Sequence, residues 1–379
     1  MNNKSQELSN ENSITITYPE NHPGSEKTQI NFHTSDPDLK ALYKPGEDNG
    51  IRRCFITDAT VATLPVMTDF INSFEDGVCG KDILIILGSG EAYKSIESVL
   101  TIIQTAIEAG FNRKDLFVGI GGGVISDLTG FSASLFKRGV KVEFVPTTLL
   151  SMVDASIGGK TGCDFNNYKN MIGTFYPAQK IEMFPSFINT LSEDQFRSGL
   201  AESLKTALLF DRELYEIFKT KQEEIKNRDE KTVFEIIKRC AKAKSLVVER
   251  DLTEQNERAF LNLGHTFGHA FESLAGLGAV THGDAVAWGI GRALSLSAKK
   301  EYCRESFKNE VLQILNDFGW NTSPIPESVN GGGIGERLLS IMVKDKKNQT
   351  DRIRLILQRE LCDTFIEEID DKDILSVLK

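Results

Sequence analysis

The chain has 379 residues, more than one hydrophobic core usually holds, and its 40% hydrophobic and 26% charged residues are ordinary for a soluble globular protein, so two domains are expected. A net charge of −10 argues against nucleic acid or an anionic membrane as partner, and it makes local clusters of Lys and Arg informative. No apolar run reaches membrane-spanning length, and six scattered cysteines form neither a CxxC pair nor a disulfide framework. The segment MNNKSQELSNENS lacks the apolar core of a signal peptide, which predicts a cytoplasmic protein.

In chain order, the first 50 residues are polar and turn-rich, with Ile14–Tyr18 and Ile30–Phe32 as short strands of a β-ribbon. From Arg53 strands alternate with helices. Strands are predicted at Cys54–Thr57, Ile83–Leu87, Leu116–Ile120 and Val142–Val145, with helices at Val61–Phe74, Tyr93–Ala109 and from the glycine run through Phe136. Such alternation implies a parallel sheet covered by helices, which takes ligands beyond the C-terminal ends of its strands. From about residue 190 the pattern is helical: Glu193–Phe210, Arg212–Asn227, Lys231–Glu249, Ala259–Ala275 and Asp284–Glu301. A connection at Ser323–Gly335 leads to further helix, and Arg352–Leu357 reads as a short strand. The reading is an α/β Rossmann-like parallel-sheet domain over residues 1–190 and a mainly helical all-α domain over 191–379, with a cleft between them.

Four constellations carry chemistry. Gly119–Asp127, GIGGGVISD, follows a strand and opens a helix, where bare backbone and a helix N-terminus suit a diphosphate; a tight strand–helix turn is the plainer alternative. Glu91 and Lys94, after the previous strand, could serve a ribose and a negative charge or simply be solvated. The stretch Val145–Lys180 contains Asp154, GGKTG at 158–162 and Lys169-Asn170. It lacks the full phosphate-loop spacing, so an NTPase is rejected, but a lysine in a glycine turn suits phosphate or carboxylate. Glu202 and Lys205 share one face of an apolar helix, as a buried functional pair or a simple ion pair. LNLGHTFGHAFE at 261–272 sets His265 and His269 at i,i+4, with His282 close behind in THGDAV. Three of the five histidines thus fall in one region, as metal ligands need; one satisfied core histidine and two surface ones is the plainer alternative. Arg258, Asn262, His265 and His269 would form one polar stripe along a helix, with Lys244 upstream; such a stripe is either a solvated face or, as its metal-binding and acid–base residue types favour, a site. Together these residues point to a dinucleotide, a divalent metal and an anionic substrate.

The segments GGGVISDLTGF, RGVKVEFVPTTLLSMVDASIGGKTG, KNMIGTFYP, GLAESLKTALL, LNLGHTFGHAFE and HGDAVAWG resemble, in order, the 3-dehydroquinate synthases of the sugar-phosphate cyclase superfamily. The resemblance runs from about residue 80 to 360. It implies metal ligation (zinc or cobalt) by Glu202, His265 and His282. It implies an NAD site at Glu91, Lys94, Gly122, Gly123, Val124, Asp127, Thr147, Thr148 and Thr190, with Lys160 and Lys169 at the nicotinamide end. Arg138, Asp154, Lys160, Asn170, Lys205, Lys244, Arg258, Asn262, His269 and Lys346 would surround the substrate, and His269 is the acid–base candidate by residue type. The implied reaction converts 3-deoxy-D-arabino-heptulosonate 7-phosphate to 3-dehydroquinate and phosphate, in the shikimate route to aromatic amino acids, by a homodimer. Ser126 stands where the family usually has glycine. Leu252 replaces an acidic residue, and Asn256-Glu257 replaces Gly-Leu.

The rival readings are another cyclase of the superfamily, an NAD- and metal-dependent alcohol dehydrogenase, and a non-enzymatic NAD-binding relative. A small neutral alcohol needs no cage of Lys160, Lys205, Lys244 and Arg258. A non-enzymatic relative would lack at least one of Glu202, Lys205, His265 and His282.

Overall fold

A computed structural model describes residues 12–19, 22–46, 50–75, 80–166, 168–276, 278–329, 331–346 and 352–379; the side chains of Glu75, Tyr168, Asp345 and Lys346 lie outside the description. The chain divides into two compact units, one of residues 1–191 and 244–254 and one of residues 192–243 and 255–379. The boundary near 190 is therefore crossed again: the C-terminal end of the helix Glu230–Arg250 and the loop after it pack with the sheet unit, so Lys244 belongs there rather than to the helical part.

The sheet unit is built on seven strands. They are β1 (Ser13–Thr17), β2 (Lys27–Phe32), β3 (Arg53–Asp58), β4 (Ile83–Leu87), β5 (Leu116–Gly121), β6 (Lys141–Pro146) and, after a hairpin, β9 (Lys180–Met183). Their order is β1-β2-β9-β6-β5-β3-β4. β1 and β2 pair antiparallel, as the ribbon pattern suggests, and β2 then joins the parallel strands through β9, a strand too short and mixed to read from sequence. β5 is buried at every position, as a strand covered by helices on both faces must be. The hairpin is β7 (Lys160–Phe165) with β8 (Tyr168–Phe175). The GGKTG segment is thus not a lysine held in a glycine turn: Gly158 and Gly159 make the turn with positive φ and Lys160 opens a strand.

Three expected helices are broken. Pro65 divides Val61–Phe74, since its ring cannot continue a helix, and Lys221 separates Arg212–Thr220 from Gln222–Lys226. The third break matters most. A short 3-10 helix, Glu257–Asn262, ends at Gly264 in the left-handed region (φ 80°), and a new helix runs His265–Ala275. Arg258 and Asn262 therefore do not share a continuous helical stripe with His265 and His269.

In the helical unit, helix Glu193–Phe210 is capped by Ser192, and helix His282–Lys299 by Thr281. Helix His282–Lys299 packs on both Glu193–Phe210 and His265–Ala275. Helix Ile334–Lys346 also packs on His265–Ala275, and a hairpin of β10 (Ile353–Glu360) and β11 (Asp363–Ile369) completes the unit. Glycine sets the spacing: a Cβ on Gly289 would lie 2.0 Å from the Gly264 carbonyl oxygen, and one on Gly283 2.3 Å from Ser198 Cα. Backbone approaches backbone there because no side chain intervenes. No helix among the described residues is long and apolar enough to cross a membrane.

Candidate active site

The close approach of those three helices brings their polar groups together. Glu202, 1% exposed, has its Oε1 3.6 Å from His265 Nε2 and 3.2 Å from His282 Nε2. The ligand atoms of the three residues lie within 4.8 Å of one another. Lys205, one turn on and equally buried, forms an ion pair with Glu202 Oε2. Glu202's oxygens nevertheless accept no hydrogen bond of good geometry, although three nitrogens crowd around them. A buried carboxylate is costly unless cations face it; this one fits a divalent cation shared with two imidazoles.

Protonation follows from the same packing. Burial would raise the Glu202 carboxyl, but Lys205 and the two histidines hold it well below the usual carboxylate range. Burial, helped by the Lys205 charge, pushes His265 well below the usual imidazole value, so it is a neutral ring. Its Nδ1 lies 3.3 Å from the Leu263 carbonyl oxygen. A carbonyl can only accept, so Nδ1 carries the proton and Nε2 offers its lone pair. For His282 burial works downward, but Glu202 and Glu272 outweigh it and raise the ring to about 9. His269, partly buried, has its ring centroid 5.3 Å from that of His265 and 6.3 Å from that of His282. Arg258 is fully buried and Asn262 partly buried in the same unit. Lys346 ends helix Ile334–Lys346, and its side chain lies outside the described residues.

The sheet unit carries a second group. Asp58, Leu87, Gly121 and Pro146 end four neighbouring strands, so the segments leaving those strands share one edge. Gly122 caps helix Gly123–Leu135 without a side-chain hydrogen bond, which leaves the first helical N–H groups, Gly123 and Val124 among them, for an anion. A Cβ on Gly122 would meet Thr148 Cγ2 at 3.0 Å, so a side chain would fill this cradle. Thr147 donates its N–H to the Gly121 carbonyl, and Thr148 Oγ1 accepts from Ser151 N–H. The Ser126 hydroxyl does not point at the cradle: it is buried, 3.2 Å from both the Gly122 carbonyl and Ser151 Oγ.

Lys94, 7% exposed, pairs with Asp127 at 2.7 Å and donates to Asn170 Oδ1 at 2.5 Å. Burial lowers its ammonium, but Asp127 and Glu91 outweigh this and raise it. Asn170 N–H in turn donates to Asp164, whose own N–H donates to the Lys94 carbonyl. Asn170, with φ 54°, thus ties the β7–β8 hairpin to Lys94. Lys244 Nζ donates to Asp154 Oδ1 at 2.6 Å and to its carbonyl at 2.7 Å, and Lys160 pairs with Glu254. Each of these two lysines thus has an internal carboxylate partner. Lys169 is exposed on β8, and Thr190, exposed, donates its hydroxyl to the Phe187 carbonyl.

Arg138 is exposed, has φ 68°, and leads into the N-terminal end of β6, so within its own chain it lies at the sheet edge opposite the glycine cradle, roughly 20 Å away along six residues of strand. Two residues were missed. Asp58 caps helix Ala59–Ala62 and accepts from Ser89 Oγ at 3.0 Å at the cradle's edge; an acid directly after an apolar strand was the signal. Glu272, buried, faces His282 Nδ1 at 3.7 Å; its place seven residues after His265, on the same helix face, was the signal. Leu252 is buried, which explains an apolar residue there.

This combination of a parallel-sheet unit and a helical unit is the fold of the sugar-phosphate cyclases. The chain is similar to 2-deoxy-scyllo-inosose synthase, solved with carbaglucose-6-phosphate, NAD+ and Co2+ (TM-score 0.81, 22% identity, 97% of this chain and 99% of that one). It is also similar to ValA, the 2-epi-5-epi-valiolone synthase of Streptomyces hygroscopicus subsp. jinggangensis 5008, solved with NAD+ and Zn2+ (TM-score 0.79, 24% identity, 96% and 98%). Both likenesses are of fold. The chain itself belongs to the 3-dehydroquinate synthase family: residues 84–198 match the family's N-terminal model and 199–348 its C-terminal model. The 3-dehydroquinate synthase of Pelobacter propionicus is 37% identical over 294 residues, 78% of this chain and 80% of the relative.

Proposed function

We propose that this protein is a 3-dehydroquinate synthase that turns 3-deoxy-D-arabino-heptulosonate 7-phosphate into 3-dehydroquinate and phosphate, as a cytoplasmic homodimer. The observation that carries the reading is the convergence of Glu202, His265 and His282 from three elements onto one point, in a chain of this family. These three would hold one Zn2+ or Co2+. The cradle Gly122–Val124, with Lys94, Asp127, Glu91, Thr147, Thr148 and Thr190, would hold NAD, with Lys160 and Lys169 at the nicotinamide end. When bound, NAD supplies a hydride acceptor that is regenerated in the cycle, and the ion supplies a Lewis acid at the substrate's vicinal oxygens.

The remaining work falls to side chains of this chain. Oxidation at C5 acidifies the hydrogen at C6; removal of that proton expels phosphate from C7, and hydride return, ring opening and an aldol step close the carbocycle. Lys205 and Arg258, buried, would face substrate oxygen and carboxylate, with Lys244 and Asn262 as further donors. With a divalent cation facing Glu202, the Lys205 ammonium is no longer needed to neutralise that carboxylate and can turn to substrate. His269 is the group by type and place to move a proton. Asp154 would orient Lys244, to which it is already bonded.

The test is phosphate release. Purified protein with NAD+, Co2+ or Zn2+ and the heptulosonate phosphate is expected to release phosphate with no net NADH. Glu202→Ala is expected to abolish both release and tight ion binding. Accumulating NADH, or release from sedoheptulose 7-phosphate alone, would establish a dehydrogenase or another cyclase instead.

A further inference from the structure

His282 has two ring nitrogens, and they face two different carboxylates. Nε2 is 3.2 Å from Glu202 Oε1, and Nδ1 is 3.7 Å from Glu272 Oε2. Glu272 is 7% exposed and sits on the helix that carries His265, two turns further along the same face. A cation taken by Nε2 leaves the imidazole proton on Nδ1 of a partly exposed ring, where a neighbouring carboxylate competes with solvent as its acceptor. For His265 that acceptor is the Leu263 carbonyl, 3.3 Å from Nδ1. His282 is the first residue of its helix, and the carboxylate facing its Nδ1 is that of Glu272, at 3.7 Å just beyond hydrogen-bond distance.

We propose that Glu272 is a positioning residue that accepts a hydrogen bond from the Nδ1–H of His282 once an ion is bound, and fixes the ring so that Nε2 points where His265 Nε2 and Glu202 already point. This rests on the ion site proposed above. Glu272 faces the nitrogen that is turned away from Glu202, so it acts through His282 and not as a ligand. The opposite use, a second cation held by His269, Glu272 and His282, whose ligand atoms also lie within 4.8 Å of one another, makes a different prediction.

The experiment strips the full-length protein of metal and titrates Co2+ against a chromophoric chelator, recording the Co2+ visible absorption bands. Wild type, Glu272→Gln, Glu272→Ala and His265→Ala are compared. Wild type is expected to take one Co2+ per chain, and His265→Ala to lose tight binding. Glu272→Ala is expected to bind about 10–100-fold more weakly, with shifted Co2+ bands. Glu272→Gln should recover part of the affinity, because its amide oxygen still accepts. If circular dichroism shows that Glu272→Ala does not fold, Glu272→Gln decides alone: shifted bands with weaker binding support the proposal. Wild-type affinity and bands in the folded Glu272 variants overturn it. So does a stoichiometry of two Co2+ falling to one in Glu272→Ala, which would make Glu272 a ligand. Undiminished binding by His265→Ala would instead overturn the ion site, whatever the Glu272 variants do.

Discussion

At the C-terminal edge of the sheet, the candidate cofactor site is laid out in main chain, as a glycine cradle and an uncapped helix start, and the lysines of this unit are paired with Asp127, Asp154 and Glu254. In the helical unit the candidate ion site is laid out in side chains, and the main chain contributes chiefly by getting out of the way at Gly264, Gly283 and Gly289. The first kind of site depends on where a turn falls and on ion pairs that stiffen it. The second depends on how closely helices pack. Damage to the two should therefore separate, and three substitutions test whether it does.

The largest effect is expected from Lys94→Ala. Removing one partner of a buried pair leaves the Asp127 carboxylate without its cation, at a cost of about 3–5 kcal/mol. The hairpin β7–β8 also loses the hydrogen bond from Lys94 to Asn170. Denaturant unfolding should show the loss, limited proteolysis should cut the hairpin sooner, and NAD+ binding should weaken. Co2+ affinity should stay at the wild-type value, and a parallel loss of Co2+ would break the distinction between the two sites.

Gly289→Ala makes the opposite cut. Its Cβ would sit 2.0 Å from backbone oxygen, so helix His282–Lys299 must back away from the Gly264 turn. Overpacking of this kind costs about 1–3 kcal/mol. His265 and His282 sit on the elements being separated, so Co2+ should bind more weakly and NAD+ as before. Unchanged Co2+ affinity would show that the cluster tolerates looser packing than argued.

The contrast also explains what could be read in the sequence. The i,i+4 histidines, the apolar helix around Glu202 and the glycine run after an apolar strand are local patterns, and all three stand where the patterns put them. The single stripe from Arg258 to His269 failed because one glycine with positive φ restarts the helix, and periodicity does not see a φ angle. The partners of Lys94, Lys160 and Lys244 are 33, 94 and 90 positions away, out of reach of any local rule. Lys244 itself was assigned to the wrong unit because one helix serves both units.

The smallest effect tests a part of the sheet unit distant in sequence from its cradle. Glu182 on β9 is buried, and it accepts from Asn31 at 3.0 Å and lies 2.7 Å from His33 Nε2. Burial alone would raise its carboxyl, but the hydrogen bonds from His33 and Asn31, with Lys180, hold it below the ordinary value of 4.5. A carboxyl lowered on folding adds stability that is complete above the unfolded value and is lost as pH falls through the folded one. Unfolding free energy should therefore fall as pH drops below about 4.5, with this group contributing to the loss. Glu182→Gln should flatten that limb while Co2+ and NAD+ binding at neutral pH stay as in wild type. An acid limb that survives the substitution unchanged would move the linkage to other carboxylates of the chain.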